Sequence, residues 1–451
     1  MTSPLPAQKR EPVISDLSSP REGRLNGLTI LRYAHTSGNA GGLEQYIFNL
    51  TRALGERNQF ATIQMEIIDK KERLVETTAS HGGCRLTKIP LFVVPDSLEK
   101  SVSGESASVS DKLKSWLVEN VLCAPPVYQM FTKNYLRHRK VPRQPGEPQG
   151  AGAKTRELLR RFNVNLIVLH SSGGADASEI LAEAEQAGVP VALLHHFAND
   201  RLAGLSMRRQ MASAAGVAGV CGKNVPNYLR SRFCNVSDGV DTEFFRADKA
   251  APLPENYSTP ILLLPARITP SKGQIDLLKV ASVLKKRRVP VTVAFAGRVD
   301  SPAFEKELRQ MAEREGLAGQ IEFIGQLDAE QLRDWYAAAR VLVFPTSHHE
   351  GLPRILMECQ AMGLPPVVYD IGGTSEGLLD GRTGFLIPPG DVRRMADAVE
   401  SLVKNDSLRA DMSQAGRRFV EEHFSLRSLA ERHEDFYLSV LAAHRNGAVA
   451  N

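Results

Sequence analysis

No apolar run in the 451-residue chain approaches the ~18 residues needed to cross a bilayer, which argues against a transmembrane segment. No C-x-x-C pair occurs either. The five cysteines (Cys84, Cys123, Cys221, Cys234, Cys359) are odd in number and widely spaced. A disulfide framework or zinc site is therefore not expected, and a reducing compartment fits better. Cys359 sits in an apolar helical stretch and reads as core. A strong surplus of one charge is also missing: 56 Lys and Arg against 51 Asp and Glu leave a net charge of +5. That balance does not point to a nucleic-acid partner; it suits an anionic substrate, and solubility explains it equally well. There is no short-period repeat. With 42% hydrophobic, 24% charged and 6% aromatic residues, disordered, collagenous and fibrous classes are excluded.

The length exceeds what one core usually serves, so two domains are expected. Residues 1–26 are polar and Pro/Ser-rich without an apolar centre, and read as a flexible leader, not a signal peptide. A short strand at Leu28–Leu31 precedes the loop His35–Gly42 and an amphipathic helix from Leu43. Ala61–Ile68, Leu166–Leu169 and Val191–Leu194 read as buried strands, and Ala177–Gln186 as a helix. After a Pro/Ala-rich linker at 247–259 the pattern restarts. Strands at Ile261–Leu264, Val291–Phe295, Ile321–Phe323 and Val341–Phe344 alternate with helices at Gln274–Lys286, Glu305–Gly316 and Gln331–Ala338. Alternation of this kind implies crossover units and parallel sheets, hence two α/β, Rossmann-like halves: 27–246 and 260–424. The insertion 97–152 interrupts the first half. Lys133, Arg137, Arg139, Lys140 and Arg143 lie there in an acid-free stretch, readable as a solvated surface or as a face for an anionic acceptor or membrane.

Three places carry residue types suited to chemistry. The loop 37–42, with Gly41 and Gly42, joins a strand to a helix, where glycines allow close backbone approach and the helix start offers free N–H groups to an anion. It does not match G-x-G-x-x-G, which counts against a dehydrogenase. Arg267 and Lys272 follow the first strand of the second half, at the strand end where ligands sit in such sheets, and could neutralise a diphosphate or serve as ordinary loop cations. The third is His349-Glu350-Gly351-Leu352-Pro353-Arg354-Ile355-Leu356-Met357-Glu358, after the strand Val341–Phe344. Pro353 suits a first helical turn. Glu350 before the helix and Glu358 within it could accept hydrogen bonds from two sets of hydroxyls, or could be a cap and a solvent-facing carboxylate.

This decapeptide resembles the E-x7-E motif of the retaining glycosyltransferases of family 4, which share the two-domain GT-B fold. Ala361–Pro366 is similar to the family's A-x-G-x-P segment, Gly372-Gly373-Thr374-Ser375-Glu376 to its G-G-x-x-E, and Gly381–Asp391 to its D-G-x-x-G-x-L-x-x-P-x-D stretch. Ser237-Asp238-Gly239-Val240-Asp241 resembles the N-G-V-D signature, with Asp238 where the family has Asn; Ala266 stands where the family has Gly. The likeness spans roughly residues 28–440 and is weakest over 97–152.

The resemblance implies two doubly wound parallel-sheet domains facing a cleft, with a last helix, Leu426–Leu441 within 425–451, crossing back to the first. It implies a nucleotide-diphosphate sugar donor in the C-terminal half and a carbohydrate, lipid-linked or small-molecule hydroxyl acceptor in the N-terminal half. Arg267 and Lys272 would face the diphosphate, with Gly41 and Gly42 at the glycine loop. Glu350, Gly351, Leu352 and Pro353 would meet the sugar, Glu358 the ribose, and backbone around Ile324–Leu327 the base. His195 would lie near the reacting sugar, with His196 adjacent and His170 beside the cleft. No metal or other cofactor is implied, since no D-x-D stands at a strand end. A cytoplasmic protein, peripheral at most at an anionic membrane, is expected. The alternatives are a sugar-nucleotide epimerase of the same fold and an inactive nucleotide-sugar-binding subunit.

Overall fold

The computed structural model describes residues 23–34, 42–69, 77–94, 150–170, 175–196, 210–227, 229–253 and 257–449. The glycine loop through Gly41, the leader through residue 22 and residues 97–149 of the insertion lie outside the described residues.

The N-terminal unit contains β1 (Thr29–Ala34), α1 (Gly42–Arg57), β2 (Phe60–Asp69), β3 (Thr77–His81), β4 (Cys84–Val94), α2 (Ala151–Arg161), β5 (Leu166–His170), α3 (Ala175–Ala187), β6 (Val191–His195), β7 (Gly216–Gly219) and β8 (Phe233–Asn235). The strands form one sheet in the order β3-β4-β2-β1-β5-β6-β7-β8. Every pairing is parallel except β3 with β4, an antiparallel hairpin at the edge that the alternating pattern did not lead one to expect. Central strands β5 and β6 are buried throughout, as continuous apolar runs covered on both faces should be.

The second unit holds β9 (Ile261–Pro265), α4 (Gln274–Lys286), β10 (Thr292–Ala296), α5 (Pro302–Arg314), β11 (Ile321–Gly325), α6 (Ala329–Ala338), β12 (Val341–Phe344), α7 (Arg354–Ala361), β13 (Pro366–Tyr369), β14 (Phe385–Ile387), α8 (Val392–Lys404) and α9 (Asp406–His423). Its parallel strands run β11-β10-β9-β12-β13-β14, the 3-2-1-4-5-6 order of a nucleotide-binding doubly wound sheet. Local signals place the helices. Ser301 caps α5 ahead of Pro302, and Asp328 with Gln331 forms a capping box on α6.

The last helix, α10 (Leu426–Val449), returns to the N-terminal unit. Its Glu434, fully buried, accepts from Arg57 Nε at 2.9 Å and Asn58 Nδ2 at 2.8 Å at the end of α1. Gly216 of β7 makes room for it, because a Cβ there would run into Val440 and Phe436. One apolar core runs from β1 and α1 through α10 into the C-terminal sheet.

Three boundaries shift from expectation. Residues 23–26 are docked and not a flexible leader: Leu25 is fully buried, its N–H donates to Asn58 Oδ1 at 2.9 Å, and Arg24 pairs with Asp435 on α10. The insertion closes before Ala151, which already starts α2 and is buried against Leu158 and its neighbours. The helix after Glu350 begins at Arg354, so Pro353 is its N-cap and lies outside the first turn.

Candidate active site

In a doubly wound sheet a crevice opens where the chain reverses its direction of strand addition. In the C-terminal unit that point lies between β9 and β12, and the loops that follow these two strands meet there. Ser347 N–H and Thr346 Oγ1 donate to the Ser271 carbonyl at 3.0 and 3.1 Å. On this scaffold Lys272 Nζ forms an ion pair with Glu350 Oε1, the two side chains being 14% and 22% exposed. Residues 78 positions apart are thereby brought together at the switch point.

Arg267 lies nearby in sequence but has another partner. Its Nη1 contacts Asp300 Oδ2 at 2.6 Å and its side chain is 57% exposed. Arg298 Nε holds the other oxygen of Asp300 at 2.8 Å. Burial raises the Asp300 pKa, but hydrogen bonds from Arg298 and the charge of Arg267 outweigh it and keep the carboxyl below its ordinary value. The two expected diphosphate cations thus stand in different settings, one sheltered and one at the rim.

Beyond Glu350, Gly351, Leu352 and Pro353 are all buried. The Gly372-Gly373 pair explains itself here. Gly373 N–H donates to the Glu350 carbonyl at 3.0 Å, and a Cβ on Gly373 would land on the Gly351 carbonyl oxygen. Only glycine lets these two backbones lie so close. Leu327 sits two strands away, half-buried in the loop between β11 and α6. Glu358 is not solvent-facing. It is buried within α7, accepts from Tyr336 Oη at 3.0 Å, and has Arg354 Nε 3.6 Å from its other oxygen. Burial drives its pKa up, while Arg354 and the Tyr336 hydroxyl oppose the rise.

The N-terminal unit closes on this loop. A Cβ on Gly351 would stand 2.6 Å from the His196 carbonyl oxygen, so the chain just after β6 packs directly on the Glu350 loop. His195 itself is 1% exposed at the end of β6. His196 stacks on His170 with its Nε2 3.1 Å from His170 Nδ1, and lies edge-on to Tyr46 of α1. Burial pushes the His196 pKa down to about 3 and that of His170 well below its ordinary value, so both rings are neutral. Tyr46 Oη lies 2.6 Å from His433 Nε2, and His433 Nδ1 is 2.8 Å from the Leu429 carbonyl. Since a carbonyl only accepts, Nδ1 carries the proton and Tyr46 donates to Nε2.

Two further contacts, on residues that pattern reading named only as motif members, join the domains. Glu376 accepts from Gly222 N–H at 2.9 Å, Cys221 Sγ at 3.2 Å, Asn235 Nδ2 at 3.0 Å and Lys223 N–H. Burial, with Glu376 adding to it, pushes the Cys221 thiol up to about 12, so it stays a thiol and a donor. Lys223 Nζ reaches back to Asp370 at 2.7 Å and Ser375 at 2.9 Å. Arg354 Nη1 binds Asp238 Oδ1 at 3.0 Å. Nothing local in the sequence marks Lys223 or Arg354 as partners of these acids.

Two doubly wound domains thus face one another, with a lysine–glutamate pair at one switch point and a neutral histidine cluster opposite. Residues 245–419 match the model of the Glycosyl transferases group 1 family. Among curated relatives, the D-inositol 3-phosphate glycosyltransferase of Streptomyces avermitilis is 32% identical over 229 residues, 48% of each chain. The GDP-mannose-dependent alpha-(1-6)-phosphatidylinositol monomannoside mannosyltransferase of Mycolicibacterium smegmatis is 30% identical over 229 residues, 46% of this chain and 59% of that one. The chain thus spans about half the length of the curated relatives it matches. Among solved structures, HepE of Anabaena in complex with UDP superposes with a TM-score of 0.62 at 15% identity, over 91% of this chain and 100% of that one. The overall architecture is the GT-B fold.

Proposed function

We propose that the protein is a retaining glycosyltransferase that moves a sugar from a nucleotide-diphosphate donor to a hydroxyl acceptor. The observation that carries this reading is the Lys272–Glu350 pair at the β9/β12 switch point. Lys272 would leave Glu350 for the donor diphosphate as the site fills. That exchange frees Glu350 to accept hydrogen bonds from sugar hydroxyls. Arg267 would turn from Asp300 onto the same diphosphate, and the two cations together would stabilise the charge that grows on the leaving group. Glu358 would hold the ribose, and backbone near Leu327 the base. The acceptor would enter from the N-terminal side and attack the face the diphosphate vacates, with a phosphate oxygen taking its proton. His195 would orient the sugar, with the neutral His196 beside it.

In this reading the cations do the neutralising and no metal takes part. Among the described residues no group of three or more His, Cys, Asp or Glu is placed to hold one. The relatives' names support a polyol acceptor, free or lipid-linked: one carries D-inositol 3-phosphate and the other a phosphatidylinositol mannoside. Among the described residues no helix is long and apolar enough to cross a membrane. We place the protein in the cytoplasm, touching an anionic membrane peripherally if its acceptor is lipid-linked.

Incubation with a panel of nucleotide sugars tests the reading, because slow donor hydrolysis needs no known acceptor. Release of nucleoside diphosphate from one donor, accelerated by inositol phosphates or polyol lipids and unaffected by EDTA, is expected. NMR of the product should show the donor's anomeric configuration retained. A folded protein that hydrolyses and transfers from no donor in the panel overturns the proposal.

A further inference from the structure

Asp238 stands where the resembled motif has Asn, and it is a buried carboxylate paired across the domain junction. It lies in the loop after β8, immediately before the chain crosses between domains, where Val240 N–H bonds the Phe424 carbonyl at 2.8 Å. Arg354, the first residue of α7, donates through Nη1 to both its oxygens, at 3.0 and 3.2 Å, and to the Gly239 carbonyl at 3.3 Å. The same guanidinium, through Nε, faces Glu358 Oε1 at 3.6 Å. The side chains of Arg354, Asp238 and Glu358 are 14%, 7% and 11% exposed. One buried cation is therefore shared between two buried carboxylates on different domains.

The other groups around the pair do not replace it. Tyr336 of α6 donates to Glu358 Oε2, and Gly239 N–H to Asp238 Oδ1 at 2.6 Å. Arg432 of α10 approaches Asp238 through its backbone carbonyl at 3.4 Å, and Tyr46 of α1 and Cys359 of α7 face the acids as neutral groups. Burial favours the protonated form of both acids, and Arg354 opposes it at each. A protonated Glu358 would present an O–H donor where the ionised group only accepts, and two uncompensated carboxylates in a dry site cannot both stay ionised.

We infer that Arg354 and Asp238 are positioning residues for the donor: Arg354, anchored by Asp238 across the domain junction, holds Glu358 ionised and oriented toward the donor's ribose. The inference rests on the donor reading of Glu358 given above. It makes nucleoside diphosphate affinity depend on a contact that exists only while the domains are docked.

Calorimetric titration with UDP and with GDP tests it on the full chain. Wild-type affinity for the preferred nucleotide should vary little between pH 6 and 9. Arg354→Met should weaken it by at least ~10-fold at pH 7, since a misplaced or protonated ligand group loses its contact. The sign follows from the charge: without Arg354 the Glu358 carboxyl titrates higher, so binding should recover as pH rises. Adding Asp238→Asn to that variant removes the competing negative charge and should restore part of the affinity at pH 7. A loss that neither pH nor Asp238→Asn relieves, or no loss at all, overturns the inference. If Arg354→Met fails to fold, Arg354→Lys decides, because one ammonium cannot span both acids; a profile as flat and tight as wild type overturns it. Failure of the wild type to bind UDP or GDP sinks the donor reading itself, and this inference with it.

Discussion

The two sides of the domain junction handle charge in opposite ways. At β9/β12 the chain brings a lysine and a glutamate together, sheltered but reachable, with an arginine at the rim. Across the junction, beyond β5 and β6, it buries His170, His196 and His433 as neutral rings around Tyr46. The first arrangement can trade its ion pair for an incoming anion at little cost, because each partner gains another. The second cannot take up charge without leaving it stranded in apolar surroundings. On the proposed reading a diphosphate would sit on the C-terminal side, where such an exchange is open to it.

The sharpest way to break that contrast is to remove its charged half. Lys272→Ala should lower turnover by ~10²–10³-fold, the effect of removing one preorganised donor from a developing oxyanion. Arg267→Ala should cost less, because the Arg267 side chain is 57% exposed and solvent screens its charge, whereas that of Lys272 is 14% exposed. Steady-state rates of nucleoside diphosphate release compare the two, and an equal loss would mean that burial does not rank them.

A second, smaller effect concerns how the halves are held. Glu376 accepts from four donors on the N-terminal unit, and Glu376→Gln would turn an amide N–H₂ against some of them. Loss of charge-assisted bonds of this kind should lower the unfolding free energy by roughly 1.5–3 kcal/mol, measurable by urea titration. An unchanged midpoint would show that the junction is held elsewhere.

The smallest effect probes the neutral half. The folded-state pKa of His433 is depressed to about 3 by burial, so the folded chain does not take up the proton that the unfolded chain binds below its ordinary value of about 6.5. Stability is complete above that value and falls as pH drops toward 3. His433→Gln should make the decline shallower by about 1 kcal/mol per pH unit between pH 6 and 4. Parallel slopes in wild type and variant would refute the neutral assignment. Asp238 and Glu358, raised by burial, act with the opposite sign and are common to both proteins.

Much of the C-terminal half was legible from periodicity. Gln274–Lys286 is a helix with the bounds its pattern suggests, and Val341–Phe344 likewise a strand, because both bury one continuous set of apolar residues. The strand Gly216–Gly219 escaped notice. Gly-Val-Ala-Gly carries no β-branched run, and its glycine is there for Val440, more than two hundred residues away. Strand β3, exposed along most of its length, has no apolar alternation to read. At the site, the E-x7-E and G-G-x-x-E residues stood out through their resemblance to a family's motifs. That the two motifs exist to pack on one another was not visible.

The sequence by itself determined the two alternating α/β halves, since these follow from local burial periodicity. Only the tertiary structure decided that Lys272 belongs to Glu350 while Arg267 belongs to Asp300, that His196 and not His195 packs its backbone on the Gly351 loop, and that Leu25 is core. A side chain's partner depends on which strands lie side by side, and neither composition nor period carries that information.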